Sequence, residues 1–166
     1  RNGPHTAVLL RRVFEREPET RDARRLCIKE RRVLMAGDLA AAGVGAQVKT
    51  QAVNMFSQDW PQGHDGHFFS NIFHDWSDDT CRLLARKSFA SLPSGGTIML
   101  HEILLNDDGT GSLVATAFSM LMLLGTRGKQ YSLPELSGIL EGAGFADVQA
   151  QRTGGGYYSL VTARKP

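Results

Sequence analysis

The sequence predicts a doubly wound α/β fold, with a mostly parallel sheet and an antiparallel hairpin at its C-terminal edge. Helical patterns alternate with short apolar strands as far as residue 104. The last two strand patterns, residues 145–152 and 157–164, are joined by too few residues for a helical crossover, so we expect them to pair antiparallel. The 166 residues are enough for one domain with a hydrophobic core.

The N-terminal part of the chain begins this alternation. Apolar residues among charged ones over residues 5–16 predict an amphipathic helix. The pattern then predicts a short strand at residues 23–28, a helix at residues 29–42 that ends at Gly43, and a strand at residues 46–53.

The middle of the chain contains the stretch on which the functional interpretation depends. An apolar strand at residues 68–73 ends abruptly in His74, an acid and a tryptophan. Buried parallel strands deliver side chains in this way to the edge of a sheet where α/β folds place their ligands. A helix follows, capped by Ser77 and reaching about Leu92, with an inward side made of Leu83, Leu84, Ser88 and Leu92.

The remaining elements complete the alternation. Residues 97–104 form another buried strand, and residues 112–124 form an almost wholly apolar helix. That helix is too short to span a membrane, so we expect it to cover the core or a ligand pocket. A capping box from Ser132 to Glu135 opens a helix that runs to Ala143.

Composition narrows the function classes. The net charge is +2, and ten of the nineteen Lys and Arg residues lie within residues 1–37. No nucleic-acid motif accompanies them, so we interpret this region as a solvated basic face and expect no nucleic-acid partner. No apolar run approaches a membrane span and no signal-peptide pattern is present, which favours a cytoplasmic protein without a membrane partner.

Cysteine and histidine positions do not favour a disulfide or a metal. Cys27 and Cys81 fit neither a disulfide framework nor a metal cluster. His64 and His67 are three residues apart, but only Asp65 lies close to them in sequence, so we expect no metal site.

Several short motifs occur together in a characteristic order. With them, residues 41–166 resemble the C-terminal catalytic domain of the S-adenosylmethionine (SAM)-dependent O-methyltransferases that act on small molecules, such as the caffeate, hydroxyindole and bacterial polyketide-tailoring enzymes. The resemblance implies a Rossmann-like sheet, SAM as cofactor and a hydroxylated small molecule as substrate. The motifs are Asn54-Met55-Phe56, Ser70-Asn71-Ile72-Phe73-His74-Asp75-Trp76-Ser77-Asp78, Leu92-Pro93-Ser94-Gly95-Gly96, His101-Glu102-Ile103-Leu104, Gly128-Lys129-Gln130-Tyr131-Ser132 and Glu141-Gly142-Ala143-Gly144-Phe145.

The resemblance gives His74 the role of general base, which takes the proton from a substrate hydroxyl before the oxygen attacks the sulfonium methyl group. Histidine suits that role because it accepts a proton near neutral pH. Glu102 matches the acid that orients the histidine. A second flanking acid of the plant enzymes is replaced here by Gln130.

The same resemblance indicates binding residues. Asn54 and Met55 match a pair beside the adenine, although the family has an acid where Asn54 stands. Ser70 matches a position near the sulfonium and carboxylate end of the cofactor. The full set of expected cofactor-binding residues is Asn54, Met55, Phe56, Ser70 and Asn71, and the expected substrate-binding residues are Asp75, Phe118 and Met122. For the last three, structural roles in helix entry and core packing remain open.

Residues 1–40 depart from the family pattern. No strand and Gly-rich turn opens the catalytic domain, and Cys27 falls where the family has an acid for the ribose hydroxyls. The missing first strand would leave backbone groups unpaired beside the strand that precedes His74. The N-terminal dimerisation domain is also absent, which predicts a homodimer or a companion chain that supplies the missing part.

Three functions follow as alternatives. The leading one is methyl transfer from SAM to a hydroxyl of an aromatic or polyketide-type small molecule. The second is a non-catalytic pseudo-methyltransferase or assembly partner, which the departures in residues 1–40 and Asn54 favour. The third is a family member diverted to hydroxylation.

Overall fold

A computed structural model of the chain describes the backbone of residues 7–10 and all of residues 53–154 and 156–166. The chain divides into two compact units, one made of Arg1–Arg12 with Asp59–Pro166 and the other of Val13–Gln58. The strand predicted at residues 23–28 and the helix predicted at residues 29–42 lie outside the described residues. So does the strand predicted at residues 46–53, except for Val53, which is not in a strand.

The first unit contains a five-stranded mixed sheet. Its spatial order is β1-β2-β3-β5-β4, with β1, β2 and β3 parallel and the last two pairings antiparallel. The antiparallel C-terminal hairpin is therefore confirmed, with β4 at the edge. The strands are β1 (Ala7–Leu10), β2 (Gly66–Ser70), β3 (Thr97–Ile103), β4 (Ala146–Arg152) and β5 (Tyr158–Arg164).

Strand β1 corrects two expectations. Residues 7–10 are a strand and not part of a helix, and Ala7 pairs in parallel register with Gly66. The side of β2 that was expected to lack a partner is thus paired by the chain itself. A four-residue apolar run fits a buried strand as well as a helical turn, and pairing with a strand far along the chain decides between them.

The strand before His74 is shorter than predicted. Strand β2 ends at Ser70, and Phe73–Asp75 form a 3-10 turn. The change of direction occurs at Asn71, whose φ is 55°. Asn tolerates this left-handed conformation better than most residues. His74 consequently lies on a turn beyond the strand end instead of directly at it.

Three helices accompany the described strands: α1 (Asp78–Ser91), α2 (Leu113–Gly125) and α3 (Leu133–Glu141). Ser77 occupies the N-cap position of α1, and the capping box of α3 forms as predicted. On α1, Leu84 and Ser88 are buried, but Leu83 is 36% exposed, contrary to its predicted inward position.

Helix α2 is apolar around its whole circumference, yet it is buried only in part. Ala115 is buried, whereas Leu113 and Leu124 are 84% and 81% exposed. The helix therefore covers the protein with one side only, in keeping with the expectation that it covers the core or a pocket. Within the described ranges, no helix has the length and apolar character that crossing a bilayer requires.

Candidate active site

The candidate site is built around His74, whose side chain is almost fully buried. Its Nδ1 atom lies 2.7 Å from Oε2 of Glu102. The ring N–H is not aligned well enough with that oxygen for a hydrogen bond of normal geometry among the described residues. The contact favours the tautomer with the proton on Nδ1, because a carboxylate can only accept.

Glu102 is anchored by the segment that carries His74. Its other oxygen, Oε1, accepts hydrogen bonds from the backbone N–H groups of Ile72 and Phe73, at 3.0 and 2.9 Å. These bonds to an ionised group are strong, and they fix the carboxylate against rotation. Glu102 therefore binds the backbone of the turn and also contacts the imidazole, so the turn and the imidazole are held in a fixed position relative to each other.

Gln130 lies near the same ring nitrogen of His74, Nδ1. Its side chain is fully buried, and its terminal amide lies 3.4 Å from Nδ1 of His74. An Nδ1 that donates to Glu102 cannot also accept from an amide N–H. The amide is therefore better oriented with its oxygen toward Nδ1.

Two of the predicted substrate-binding residues, Asp75 and Phe118, lie beside the imidazole of His74; the Asp75 contact is to the opposite ring nitrogen, Nε2. Nε2 lies 3.6 Å from Oδ1 of Asp75. The ring of Phe118, on α2, meets the imidazole edge to face with 5.5 Å between centroids. Met122 is half-buried one helical turn beyond Phe118. Nε2 is thus the ring nitrogen that lies away from Glu102, with the carboxylate of Asp75 near it among the described residues.

Gly128 is a residue of this site whose role the sequence did not reveal. A Cβ atom at Gly128 would lie only 2.2 Å from the carbonyl oxygen of His74 and 2.5 Å from the backbone nitrogen of Trp76. Only glycine permits this close backbone approach. The sequence contained one signal for this role, a glycine two residues before Gln130.

Ser70 and Asn71 lie where β2 ends, at the edge of the sheet where α/β folds bind ligands. The Oδ1 atom of Asn71 is buried and makes no hydrogen bond within the described ranges. A buried acceptor without a partner is costly unless a ligand supplies a donor. This corner therefore fits a ligand that carries N–H or O–H groups.

Asn54, Met55 and Phe56 belong to the other compact unit and form a turn. The side-chain oxygen of Asn54 accepts from the backbone N–H groups of Phe56 and Ser57, at 2.9 and 3.1 Å. It therefore serves its own turn, and an interaction of Asn54 with adenine stays a prediction.

Comparison with known proteins decides the family. A family model described as an O-methyltransferase domain matches residues 32–146. The chain belongs to the O-methyltransferase domain family. The predicted resemblance is thereby confirmed.

Individual relatives agree with this assignment. The chain is 38% identical over 119 residues to 3-hydroxy-5-methyl-1-naphthoate 3-O-methyltransferase of Streptomyces sahachiroi, a match that covers 71% of this chain and 34% of that protein. It is 36% identical over 114 residues to acetylserotonin O-methyltransferase of Bos taurus, covering 61% of this chain and 33% of that protein. The chain thus spans about a third of the length of these relatives.

Solved structures confirm the Rossmann-like fold class. Human N-acetylserotonin methyltransferase in complex with SAM matches with a TM-score of 0.69 and 31% identity, over 72% of this chain and 34% of that one. An O-methyltransferase family 2 protein from Planctomyces limnophilus, in complex with apigenin, matches with a TM-score of 0.77 and 30% identity, over 81% of this chain and 40% of that one.

Proposed function

We propose that this chain takes part in methyl transfer from SAM to a hydroxyl group of an aromatic or polyketide-type small molecule, with His74 as the general base. The observation that carries the proposal is the 2.7 Å contact between Nδ1 of His74 and the anchored carboxylate of Glu102. It leaves Nε2 to accept a proton, as a general base requires.

The residues around His74 support each part of this role. Glu102 holds the Nδ1–H tautomer and stabilises the imidazolium that forms when Nε2 takes up the substrate proton. Asp75, close to Nε2, adds favourable charge once that nitrogen is protonated. Phe118 and Met122 form an apolar wall suited to a planar ring and exclude water from the base.

Cofactor binding is proposed at the corner of Ser70 and Asn71. The polar oxygens there fit a hydrogen-bond donor at the methionine end of SAM, and the buried Oδ1 of Asn71 gains a partner when a ligand donor binds. When bound, SAM supplies an electrophilic methyl group on a sulfonium. Substrate classes to test are hydroxynaphthoates and flavones, because a relative is named for the former and a structural neighbour holds apigenin.

The test compares methyl transfer by the wild-type chain and by His74→Gln on a hydroxynaphthoate and a flavone, with the product gain of a methylene unit followed by mass spectrometry. Loss of the base should lower the rate by about 10²–10⁴-fold. His64→Gln is the matched control, because His64 lies in a loop away from β2's end and should leave the rate unchanged. A His74→Gln chain as active as wild type would reject the assignment.

A second candidate is a non-catalytic member of the family. The observation that favours it is the side-chain oxygen of Asn54, which bonds within its own turn instead of being presented to a ligand. Calorimetric titration with SAM separates the two candidates. Micromolar binding supports the enzyme, and no binding at millimolar SAM supports the non-catalytic protein. A homodimer or a companion chain, proposed for either candidate, is tested by the molar mass in solution.

A further inference from the structure

His101 is a half-buried histidine on β3 that takes no part in the chemistry proposed above, yet its ring is fixed on every side. It stacks on Tyr158 with 4.6 Å between centroids and an interplanar angle of 14°, and on Phe68 at 6.1 Å and 27°. Both ring nitrogens meet hydroxyl groups: Nδ1 lies 3.0 Å from Oγ of Ser70, and Nε2 lies 3.4 Å from Oγ1 of Thr153.

The directions of these hydrogen bonds follow from Thr153. Its hydroxyl donates to the carbonyl oxygen of Tyr158 at 3.2 Å. With its single proton directed to Tyr158, Oγ1 of Thr153 accepts from His101, and we assign the imidazole proton to Nε2. In a neutral imidazole the other nitrogen is then an acceptor. The hydroxyl of Ser70 therefore donates to Nδ1 of His101.

This polarity determines what Ser70 can bind. With its proton directed to His101, its oxygen presents lone pairs and can accept a hydrogen bond but cannot donate one. Ser70 is half-buried at the end of β2, so the oxygen is accessible at the sheet edge. A ligand carboxylate needs a hydrogen-bond donor, which this oxygen does not provide. A cationic N–H group of a ligand can donate to this oxygen.

The backbone of His101 supports the same corner. Its carbonyl oxygen accepts from the backbone N–H of Asn71 at 3.1 Å, which holds Asn71 in its left-handed conformation. The side chain of His101 thus orients the hydroxyl of Ser70, while its main chain fixes the turn that follows.

We propose that His101 is a positioning residue that holds the Ser70 hydroxyl as a hydrogen-bond acceptor for the α-ammonium group at the methionine end of SAM. The ligand named here rests on the proposed function. The hydrogen-bond relay from Ser70 through His101 to Thr153 rests on the structure of this chain alone.

The relay is tested first in the wild-type chain without ligand. Nitrogen-15 NMR of the imidazole distinguishes a protonated from an unprotonated ring nitrogen. We expect His101 to be the tautomer protonated at Nε2, and Thr153→Val to weaken that preference. A ring protonated at Nδ1 in wild type would overturn the proposal, whether or not the chain binds SAM.

Ligand binding is tested by calorimetry with two stable probes. S-adenosylhomocysteine carries the α-ammonium, and 5′-methylthioadenosine lacks the whole amino-acid end. Ser70→Ala and His101→Phe should each weaken S-adenosylhomocysteine about 10-fold, as expected for one hydrogen bond to a charged group, and should leave 5′-methylthioadenosine within twofold. Phenylalanine keeps the stack with Tyr158 and Phe68, so this variant removes only the hydrogen bonds.

Two further variants separate positioning from packing. The double variant Ser70→Ala/His101→Phe should lose no more affinity than either single one, because both remove the same contact. His101→Asn, whose side-chain oxygen can accept from Ser70, should recover most of the lost affinity. Unchanged S-adenosylhomocysteine affinity in His101→Phe, or an equal loss for both probes, would overturn the ligand assignment. A wild-type chain that binds neither probe would overturn the proposed use of SAM together with it.

Discussion

Glu102 has two separable roles in this structure, and two substitutions separate them. In Glu102→Ala, the backbone N–H groups of Ile72 and Phe73 lose the buried oxygen to which they donate at 3.0 and 2.9 Å. Each bond to an ionised acceptor contributes about 1.5–3 kcal/mol, and the variant also avoids burying a carboxylate. We therefore expect a net loss of about 3 kcal/mol, or a fall in Tm of roughly 6–12 °C for a chain of this length.

Glu102→Gln keeps an oxygen for the two backbone donors but turns an amide N–H toward Nδ1 of His74. Nδ1 must then accept, and the imidazole proton moves to Nε2, the atom that has to be free for the proposed chemistry. We expect a loss of stability of only about 1 kcal/mol and a fall in methyl transfer of about 10²–10⁴-fold.

Urea unfolding gives the two stabilities, and product mass gives the two rates. We expect the alanine variant to be the less stable protein, and the glutamine variant to be nearly as stable as wild type but about 10²–10⁴-fold slower. An alanine variant as stable as wild type would refute the anchoring role of Glu102. A fully active glutamine variant would refute its control of the imidazole tautomer.

Three further predictions concern packing and ionisation. Gly128→Ala should destabilise the fold by about 2 kcal/mol or more in urea unfolding, because the added Cβ would overlap the backbone of His74. Gly138→Ala is the control: it lies on a helix with open space around it, and it should be neutral or stabilising. Burial, together with the nearby His64, lowers the pKa of His67 from 6.5 to about 4. Between these values the unfolded chain binds a proton that the folded chain does not, so lowering the pH from 7 to 5 should cost about 1–2 kcal/mol of stability, a loss that His67→Gln should not show. Burial raises the pKa of the Cys81 thiol to about 12. In the Cys27→Ser variant, alkylation of Cys81 at pH 8 should therefore be on the order of a thousandfold slower in the folded chain than after unfolding. Rapid labelling of the folded chain would contradict this.

Local signals in the sequence were sufficient for the elements that depend on neighbouring residues. The capping box of Ser132 and Glu135 forms as predicted, and the short connection near Gly154 required an antiparallel hairpin. In both cases the deciding interactions lie within a few residues or one turn of the chain.

The elements that the sequence left wrong or unseen depend on contacts between distant segments. Residues 7–10 become a strand because Gly66–Ser70 offers a free side for pairing, and an apolar run of four residues contains no period that reveals this. His74 lies on a 3-10 turn because Glu102, about thirty residues away, accepts the backbone N–H groups before it. The pattern indicated candidate residues for the site, but not the backbone groups that hold them in place.

Two consecutive residues of β3, His101 and Glu102, contact the proposed cofactor corner and the proposed base, respectively. Because side chains alternate along a strand, His101 and Glu102 point to opposite faces of the sheet. His101 reaches Ser70 on one face, and Glu102 reaches His74 on the other. The segment that follows β2 is therefore fixed from both faces by neighbouring residues of one strand, so that the proposed cofactor contact and the proposed base keep a constant separation. The relative positions of Ser70 and His74 are therefore set by β3, a buried central strand, although His74 itself lies on the turn beside it.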